Sequence, residues 1–191
     1  MAVRLAIAHR SRPKVGELEN GDGVMVRQER SRTLCAVVDA LGHGPVAARV
    51  TSEALRCLAQ VDLNQDVESI VAAMHLALRS GRGAAVMVAL FDGQRVHCGG
   101  VGNVELRTRG TRVPVIPTPG ILGQSHRALR VTSAALLPGD RMAVFSDGLS
   151  SRLELDDTRN LSPDAACDLL MERYGRNTDD ATVLVVDVET P

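Results

Sequence analysis

The chain has 191 residues, of which 45% are hydrophobic and 24% charged, a balance typical of a folded domain. Its net charge of −1 argues against a strongly basic nucleic-acid-binding protein, and an aromatic content of 2% leaves few side chains for base stacking. No apolar run reaches the 18 residues of a membrane span. We therefore expect a single domain over residues 1–191 that is a cytoplasmic monomer, with neither nucleic acid nor membrane as a partner.

The first half of the chain predicts three strands followed by two helices. Alternating apolar residues or apolar runs predict strands at 3–8, 24–27 and 33–38. A helix over 45–61 is predicted by an apolar stripe that recurs every fourth residue, at Val46, Val50, Ala54 and Leu58. Asn64 and Asp66 are candidate N-caps of a second helix, which would bury Val67, Val71 and Met74 against the first.

The second half is richer in strands. We predict strands at 85–91, 95–99, 104–108 and 113–116, a loop over 117–128, and further strands at 141–145 and 182–188. Ser162, Pro163 and Gly175 bracket a third helix, as N-cap, first residue and terminator. Because strands come in runs rather than alternating with helices, the order predicts an α+β fold with mostly antiparallel sheets.

Four aspartates share one kind of position at or beside the predicted strand ends. Asp22 precedes a strand, Asp39 and Asp147 end strands before glycine-bearing turns, and Asp179 opens the last strand. Clustered carboxylates repel one another unless a cation lies among them, and hard oxygen ligands suit magnesium or manganese. The pattern predicts a divalent-metal site, with the alternative that each aspartate only caps a turn or a helix.

The motifs around these aspartates resemble those of a known family. Residues 37–44 (VVDALGHG) resemble the D-G-x-G-x-G segment of metal-dependent Ser/Thr phosphatases of the protein phosphatase 2C type. Residues 145–149 (FSDGL) are similar to their S-D-G segment, 179–183 (DDATV) to their D-D-x-T segment, and 20–22 (NGD) to their early G-D element. All four occur in the family's order, and the chain most resembles the SpoIIE-like branch with its RsbX-type stressosome phosphatases.

This resemblance implies an αββα sandwich, two packed antiparallel sheets flanked by helices, with two Mn²⁺ or Mg²⁺ ions at one end. Asp39 would bridge both ions. Asp22 and the carbonyl of Ala40 would hold one ion, and Asp147 and Asp179 the other. Asp39 and Asp147 are thus the catalytic candidates, and Asp180 would orient its neighbours. The implied reaction is hydrolysis of phosphoserine or phosphothreonine by a metal-activated water.

Two features depart from the family's pattern. The residue after the bridging aspartate is usually glycine, whereas here it is Ala40, which would be strained if its φ were positive. Some members also place a phosphate-binding arginine a few residues before the first acidic ligand. Residues 16–19 (GELE) hold no such arginine, so this role is vacant or belongs to Arg10, Arg12 or Lys14.

The resemblance also implies the partners, which would be phosphorylated STAS-domain proteins of the stressosome or anti-sigma antagonists. Two alternatives remain open at this stage: a pseudophosphatase that binds a phosphorylated partner without turnover, and a hydrolase of small phosphate monoesters. Because the helix at 45–61 follows the metal loop directly, we hypothesise that partner contacts on the first two helices tune metal affinity. Plain core packing is the alternative for this helix pair.

Overall fold

Two antiparallel β-sheets lie face to face in the computed structural model, which describes residues 3–190. The first sheet contains, in spatial order, β1 (Arg4–Arg12), β11 (Ala181–Glu189), β10 (Arg141–Phe145) and β6 (Glu105–Arg109). The second contains β2 (Asp22–Glu29), β3 (Arg32–Ala40), β4 (Ala84–Asp92), β5 (Arg95–Val101) and β9 (Val131–Ala135). A separate two-residue hairpin is formed by β7 (Gly120–Ile121) and β8 (Ser125–His126).

Three helices form the outer layers. Helices α1 (Gly44–Gln60) and α2 (Val67–Ala77) cover the second sheet, and α3 (Pro163–Tyr174) covers the first. The carboxylate of Asp66 accepts a hydrogen bond from the Ser69 amide at 2.8 Å, and the Ser162 hydroxyl accepts one from the Ala165 amide at 3.3 Å. These N-caps and the αββα layering confirm the predicted helix starts and fold class. Within residues 3–190 no helix is long and apolar enough to cross a membrane.

The side-chain alternation of each strand divides the interior into three apolar layers. In β3, Leu34 and Ala36 face the helices, whereas Cys35 and Val37 face the other sheet. Both faces of this strand are buried, which explains why its sequence is a nearly continuous apolar run. The layer between the sheets is the one that leads to the aspartates, because Asp39 continues the Cys35–Val37 row.

The structure differs from the sequence predictions at four places. Residues 113–116 are not a strand, since Pro114 has no amide hydrogen for a ladder, although Val113 is buried. Strand β9 was not predicted, and neither was the β7–β8 hairpin inside the predicted loop. Val46 is 42% exposed, and the first buried residue of α1's apolar stripe is Ala47 instead. Val67, Val71 and Met74 of α2 are buried as predicted.

Candidate metal centre

Strand ends from both sheets meet at one edge of the sandwich. Asp22 opens β2 and lies directly opposite Asp39, near the end of β3. Asp147 lies just beyond β10, and Asp179 just before β11. The Ser146 hydroxyl donates to Asp22 Oδ2 at 2.5 Å, which ties the two sheets together at this edge. The structure therefore brings the four aspartates singled out in the sequence into one acidic cluster.

Strand periodicity explains why two of these carboxylates point between the sheets. In β3, Asp39 continues the row of Cys35 and Val37, which faces the other sheet. In β2, Asp22 shares its face with Val24, which packs against the same layer. The apolar layer between the sheets thus ends in carboxylates, and polar groups at the rim of a dry interior are the setting in which a cation is held most strongly.

Two glycines let helix α1 lie against the backbone on either side of Asp22. A Cβ atom at Gly21 would be 2.7 Å from Ala47 Cβ, and one at Gly23 would be 2.5 Å from Thr51 Cγ2. The Thr51 hydroxyl also donates to the Gly21 carbonyl. Because α1 begins just after the Asp39 loop, this close packing fixes β2, β3 and the helix as one unit around the cluster.

Burial and mutual repulsion raise the pKa values of the clustered carboxylates. Desolvation raises the pKa of Asp39 to about 8, with the charges of Asp22, Asp147 and Asp179 adding to it. Desolvation also raises the pKa of Asp22 to about 7, although hydrogen bonds from hydroxyl groups oppose the shift. The pKa of Asp147 is raised by desolvation and by Asp179. Divalent cations would remove this repulsion and favour the ionised forms.

A set of hydroxyl groups that the sequence analysis did not single out as functional surrounds Asp22. The Ser146 hydroxyl, which donates to Asp22, accepts from the Thr182 amide at 3.1 Å. The Thr182 hydroxyl lies 2.5 Å from that of Ser11, which accepts from Asn20 Nδ2 at 2.7 Å. Period-2 alternation places Ser11 and Thr182 on the inward faces of β1 and β11, and Ser146 directly follows β10. The contact of Ser146 with Asp22 depends on the packing of the two sheets.

Asp180 has a different environment from its neighbour Asp179. Its Oδ1 accepts from the Lys14 amide at 2.8 Å, and its Oδ2 accepts from the Gly21 amide at 2.9 Å. Both carboxylate oxygens thus hold backbone groups of the segment that leads into β2. This arrangement fits an orienting role for Asp180 rather than a ligand role.

The loop after Asp39 begins without backbone strain at Ala40. The positive φ angles of this loop fall on Gly42 and Gly44, at +93° and +72°, and not on Ala40, which is the last residue of β3. An alanine at this position therefore avoids the strain considered in the sequence analysis. The next amide, that of Leu41, donates to the Gly83 carbonyl at 3.1 Å. Since this amide and the Ala40 carbonyl belong to one planar peptide unit, Gly83 also fixes the direction of that carbonyl.

The oxygen donors of the cluster suit magnesium or manganese, although the carboxylate side chains do not converge on a single point. Within residues 3–190, no three His, Cys, Asp or Glu side chains are grouped closely enough to enclose an ion. Mg²⁺ commonly keeps several waters and takes only one or two carboxylates, so Asp22, Asp39 and the Ala40 carbonyl suffice for one ion. Binding a second ion through Asp39, Asp147 and Asp179 would require these carboxylates to move together, which the loss of repulsion favours.

The three candidates for the phosphate-binding role lie in different surroundings. Arg10 contacts Asp164 and Asp168 of α3, at 3.2 and 2.7 Å, and so is paired away from the cluster. Arg12 donates to the carbonyl of Arg176. The Lys14 amide donates to Asp180, and its Nζ lies 3.0 Å from Nε2 of His43, in the loop after Asp39.

Two further polar side chains that sequence reasoning missed contact Asp147. Asn103 Nδ2 donates to Asp147 Oδ2 at 2.6 Å, and Arg176 Nη1 donates to the Asp147 carbonyl at 3.3 Å. The charge of Arg176 and the Asn103 hydrogen bond both oppose the rise in the pKa of Asp147. The sequence alone did not link either residue to Asp147, because each reaches it from another segment of the fold.

Comparison with known proteins identifies the family. The model of "Stage II sporulation protein E (SpoIIE)" matches residues 29–189, a range that includes Asp39, Asp147 and Asp179. The chain belongs to the SpoIIE family. This assignment confirms the resemblance drawn from the four motifs. Among curated relatives, the phosphoserine phosphatase RsbX of Bacillus subtilis (strain 168) is 27% identical over 142 residues, which cover 72% of this chain and 71% of RsbX.

Solved structures share the fold of this chain over nearly its whole length. A structure from the study "The bacterial stressosome: a modular system that has been adapted to control secondary messenger signaling" is 28% identical, with a TM-score of 0.89, and the match covers 96% of this chain and 99% of that one. RsbX in complex with magnesium is 20% identical with a TM-score of 0.84, covering 99% and 100% of the two chains. The PstP catalytic domain with two manganese ions is 22% identical with a TM-score of 0.77, again covering 99% and 100%. The last two similarities establish the fold alone.

Proposed function

We propose that this SpoIIE-family protein is a manganese- or magnesium-dependent phosphatase that hydrolyses phosphoserine or phosphothreonine in partner proteins. The observation that carries the proposal is the cluster of Asp22, Asp39, Asp147 and Asp179 at one edge of the sandwich. Burial and mutual repulsion raise the pKa of Asp39 to about 8. A cluster with this charge is costly unless it binds cations, and oxygen donors select hard divalent ions.

Each residue of the cluster has a defined task in this proposal. Asp39 lies opposite Asp22 and is affected by the charges of Asp147 and Asp179, so it is the carboxylate placed to contact both metal ions. Asp22 and the Ala40 carbonyl complete the first site, and Asp147 and Asp179 the second. When bound, two such ions would neutralise a phosphate dianion and lower the pKa of a bound water. Hydrolysis then joins the water oxygen to phosphorus and breaks the ester bond to the serine or threonine oxygen.

We propose phosphorylated STAS-domain proteins, either stressosome components or anti-sigma antagonists, as substrates. Support comes from the relative named phosphoserine phosphatase RsbX and from the similarity to a structure solved in a study of the bacterial stressosome. Two basic groups lie near the acidic cluster: the Lys14 ammonium, 3.0 Å from Nε2 of His43 in the loop after Asp39, and Arg176, which donates to the Asp147 carbonyl. These cations favour the approach of a phosphate group to a site whose carboxylates would otherwise repel it.

The deciding experiment compares three substrates with the manganese-loaded protein: an aryl phosphate, free phosphoserine and a phosphorylated STAS-domain protein. We expect turnover of the phosphoprotein, with kcat/KM well above that for free phosphoserine. Asp39→Asn should lower the rate at least ~10³-fold, which corresponds to roughly 4 kcal/mol of transition-state stabilisation. Asp156→Asn, in an exposed ion pair with Arg159, is the matched control and should leave the rate unchanged.

The outcome separates the proposal from the alternatives. Binding of the phosphoprotein without turnover of any substrate would identify a pseudophosphatase. Turnover of small esters without preference for the phosphoprotein would identify a small-molecule hydrolase. Normal turnover by Asp39→Asn would mean that the catalytic centre lies elsewhere.

A further inference from the structure

The loop between β1 and β2 contacts two residues close in sequence to the acidic cluster, Asp180 and His43. At its start, the Lys14 amide donates to Asp180 Oδ1 at 2.8 Å. Further along, Glu17 Oε1 lies 2.7 Å from His43 Nδ1, and Lys14 Nζ lies 3.0 Å from Nε2 of the same imidazole. Because His43 belongs to the loop that follows Asp39, these contacts hold the β1–β2 loop against the metal loop.

Large apolar side chains are exposed on both of these fastened segments. On the β1–β2 loop, Leu18 is 99% exposed and Val15 66%. On the facing segment, Leu41 is 38% exposed and Val46 42%. They make up half of the large hydrophobic side chains exposed among residues 3–190, although the two segments are short. Such a concentration of exposed apolar groups is more typical of a surface that binds a partner than of one that faces only solvent.

We propose that this rim, defined as Lys14, Val15, Leu18, Leu41 and Val46, is the docking surface for the phosphoprotein substrate. The inference rests on the proposed function and adds the kind of partner. That partner is a folded protein with apolar side chains beside its phosphorylated residue. In the complex, the Lys14 side chain lies on the side of the contact that is closest to the phosphate.

Proximity supports this occupant over a small ester. The Lys14 amide contacts Asp180, which directly follows Asp179 of the cluster. A phosphate that reaches the cluster while attached to a folded protein therefore brings the surface around it onto the β1–β2 loop. A small ester can enter without covering the loop. The apolar rim is consequently useful only for a macromolecular substrate, where its burial adds to affinity.

The first test separates docking from chemistry. Leu18→Ser should lower kcat/KM for the phosphorylated STAS-domain protein at least ~10-fold, mainly by raising KM. The same variant should keep wild-type activity on an aryl phosphate and wild-type affinity for Mn²⁺, since Leu18 packs against nothing. Leu137→Ser is the matched control: Leu137 is 61% exposed and lies next to the start of β10, at the opposite edge of the sandwich. Leu137→Ser should leave the kinetic constants for both substrates unchanged.

Lys14 allows a second test that does not need turnover, because it is the only lysine in the chain. The phosphoprotein, added in excess to Asp39→Asn protein, should slow the reaction of an amine reagent with Lys14. Free phosphoserine at the same concentration should slow it less. Absence of protection by a bound phosphoprotein, or equal losses on both substrates in Leu18→Ser, would overturn the docking surface. A protein inactive on all substrates, yet still protected at Lys14, would instead refute the proposed chemistry and retain the surface.

Discussion

Neutralising the Asp39 carboxylate provides a quantitative test of the electrostatics of the acidic cluster. In the metal-free protein, the pKa of Asp22 is about 7 and that of Asp39 about 8, mainly because both are desolvated. In the unfolded chain both would have pKa values near 3.9. Between pH 5 and 6.5 the native state therefore binds about two more protons than the unfolded state at these residues.

The sign follows from the linkage between proton binding and unfolding. The free energy of unfolding changes by about 1.36 kcal/mol per pH unit for each proton of difference, and it falls with rising pH where the native state binds more. Asp22 and Asp39 together should thus contribute a slope of about −2.7 kcal/mol per pH unit to the free energy of unfolding. Asp39→Asn removes one of the two protons from this balance. Its unfolding free energy should fall less steeply than that of the wild type, by about 1.4 kcal/mol per pH unit, or about 2 kcal/mol over the interval.

The assay is urea unfolding at equilibrium, in buffers containing EDTA, at half-unit steps between pH 5 and 6.5. Ionisable groups other than Asp39 are common to both proteins, so their contributions cancel in the difference between the two slopes. Asp156→Asn should give the wild-type slope, because its carboxylate is exposed in a surface ion pair. Parallel slopes for wild type and Asp39→Asn would refute the view that Asp39 is held protonated by burial among carboxylates.

Three other outcomes are expected. Exhaustive chelation should abolish phosphatase activity and added Mn²⁺ should restore it, as measured by turnover of an aryl phosphate; full activity after chelation would contradict the metal site. Gly83→Ala should weaken Mn²⁺ binding, measured by calorimetry, at least several-fold. A Cβ atom at this residue (φ +86°) would lie 2.3 Å from the Leu122 carbonyl oxygen. The resulting shift would displace the Gly83 carbonyl, which orients the Ala40 peptide. Gly93→Ala, also at positive φ but with open space around it, should bind Mn²⁺ normally. Arg141→Met should lower the free energy of unfolding by about 3–5 kcal/mol, since it leaves a partly buried Asp187 without its two 2.6 Å hydrogen bonds. Arg4→Met, which breaks an exposed ion pair, should lower it by less than about 1 kcal/mol. Similar losses for the two variants, measured by urea unfolding, would contradict the importance of the buried pair.

Local patterns in the sequence were sufficient for most of the elements. Period-2 alternation predicts strands such as β1, and side-chain caps such as Asp66 and Ser162 mark helix starts, because both depend on residues close in sequence. The sequence predictions were wrong where a local pattern was compatible with two structures. Residues 113–116 have the apolar pattern of a strand, but Pro114 prevents regular pairing. Val46 fits the four-residue repeat of α1, yet Ala47 is the first residue of the helix to pack inward along that stripe.

The sequence by itself determined the identities of the four aspartates and their positions near strand ends, since motif residues and turn chemistry are contiguous in the chain. Only the tertiary structure decided what surrounds them. Ser146 reaches Asp22 across 124 positions, Lys14 reaches Asp180 across 166, and Gly83 holds the peptide of Ala40 through a hydrogen bond to Leu41. These contacts depend on strand register and on how the two sheets stack. Both are set by the collective burial of apolar faces, so no short segment of the sequence encodes them.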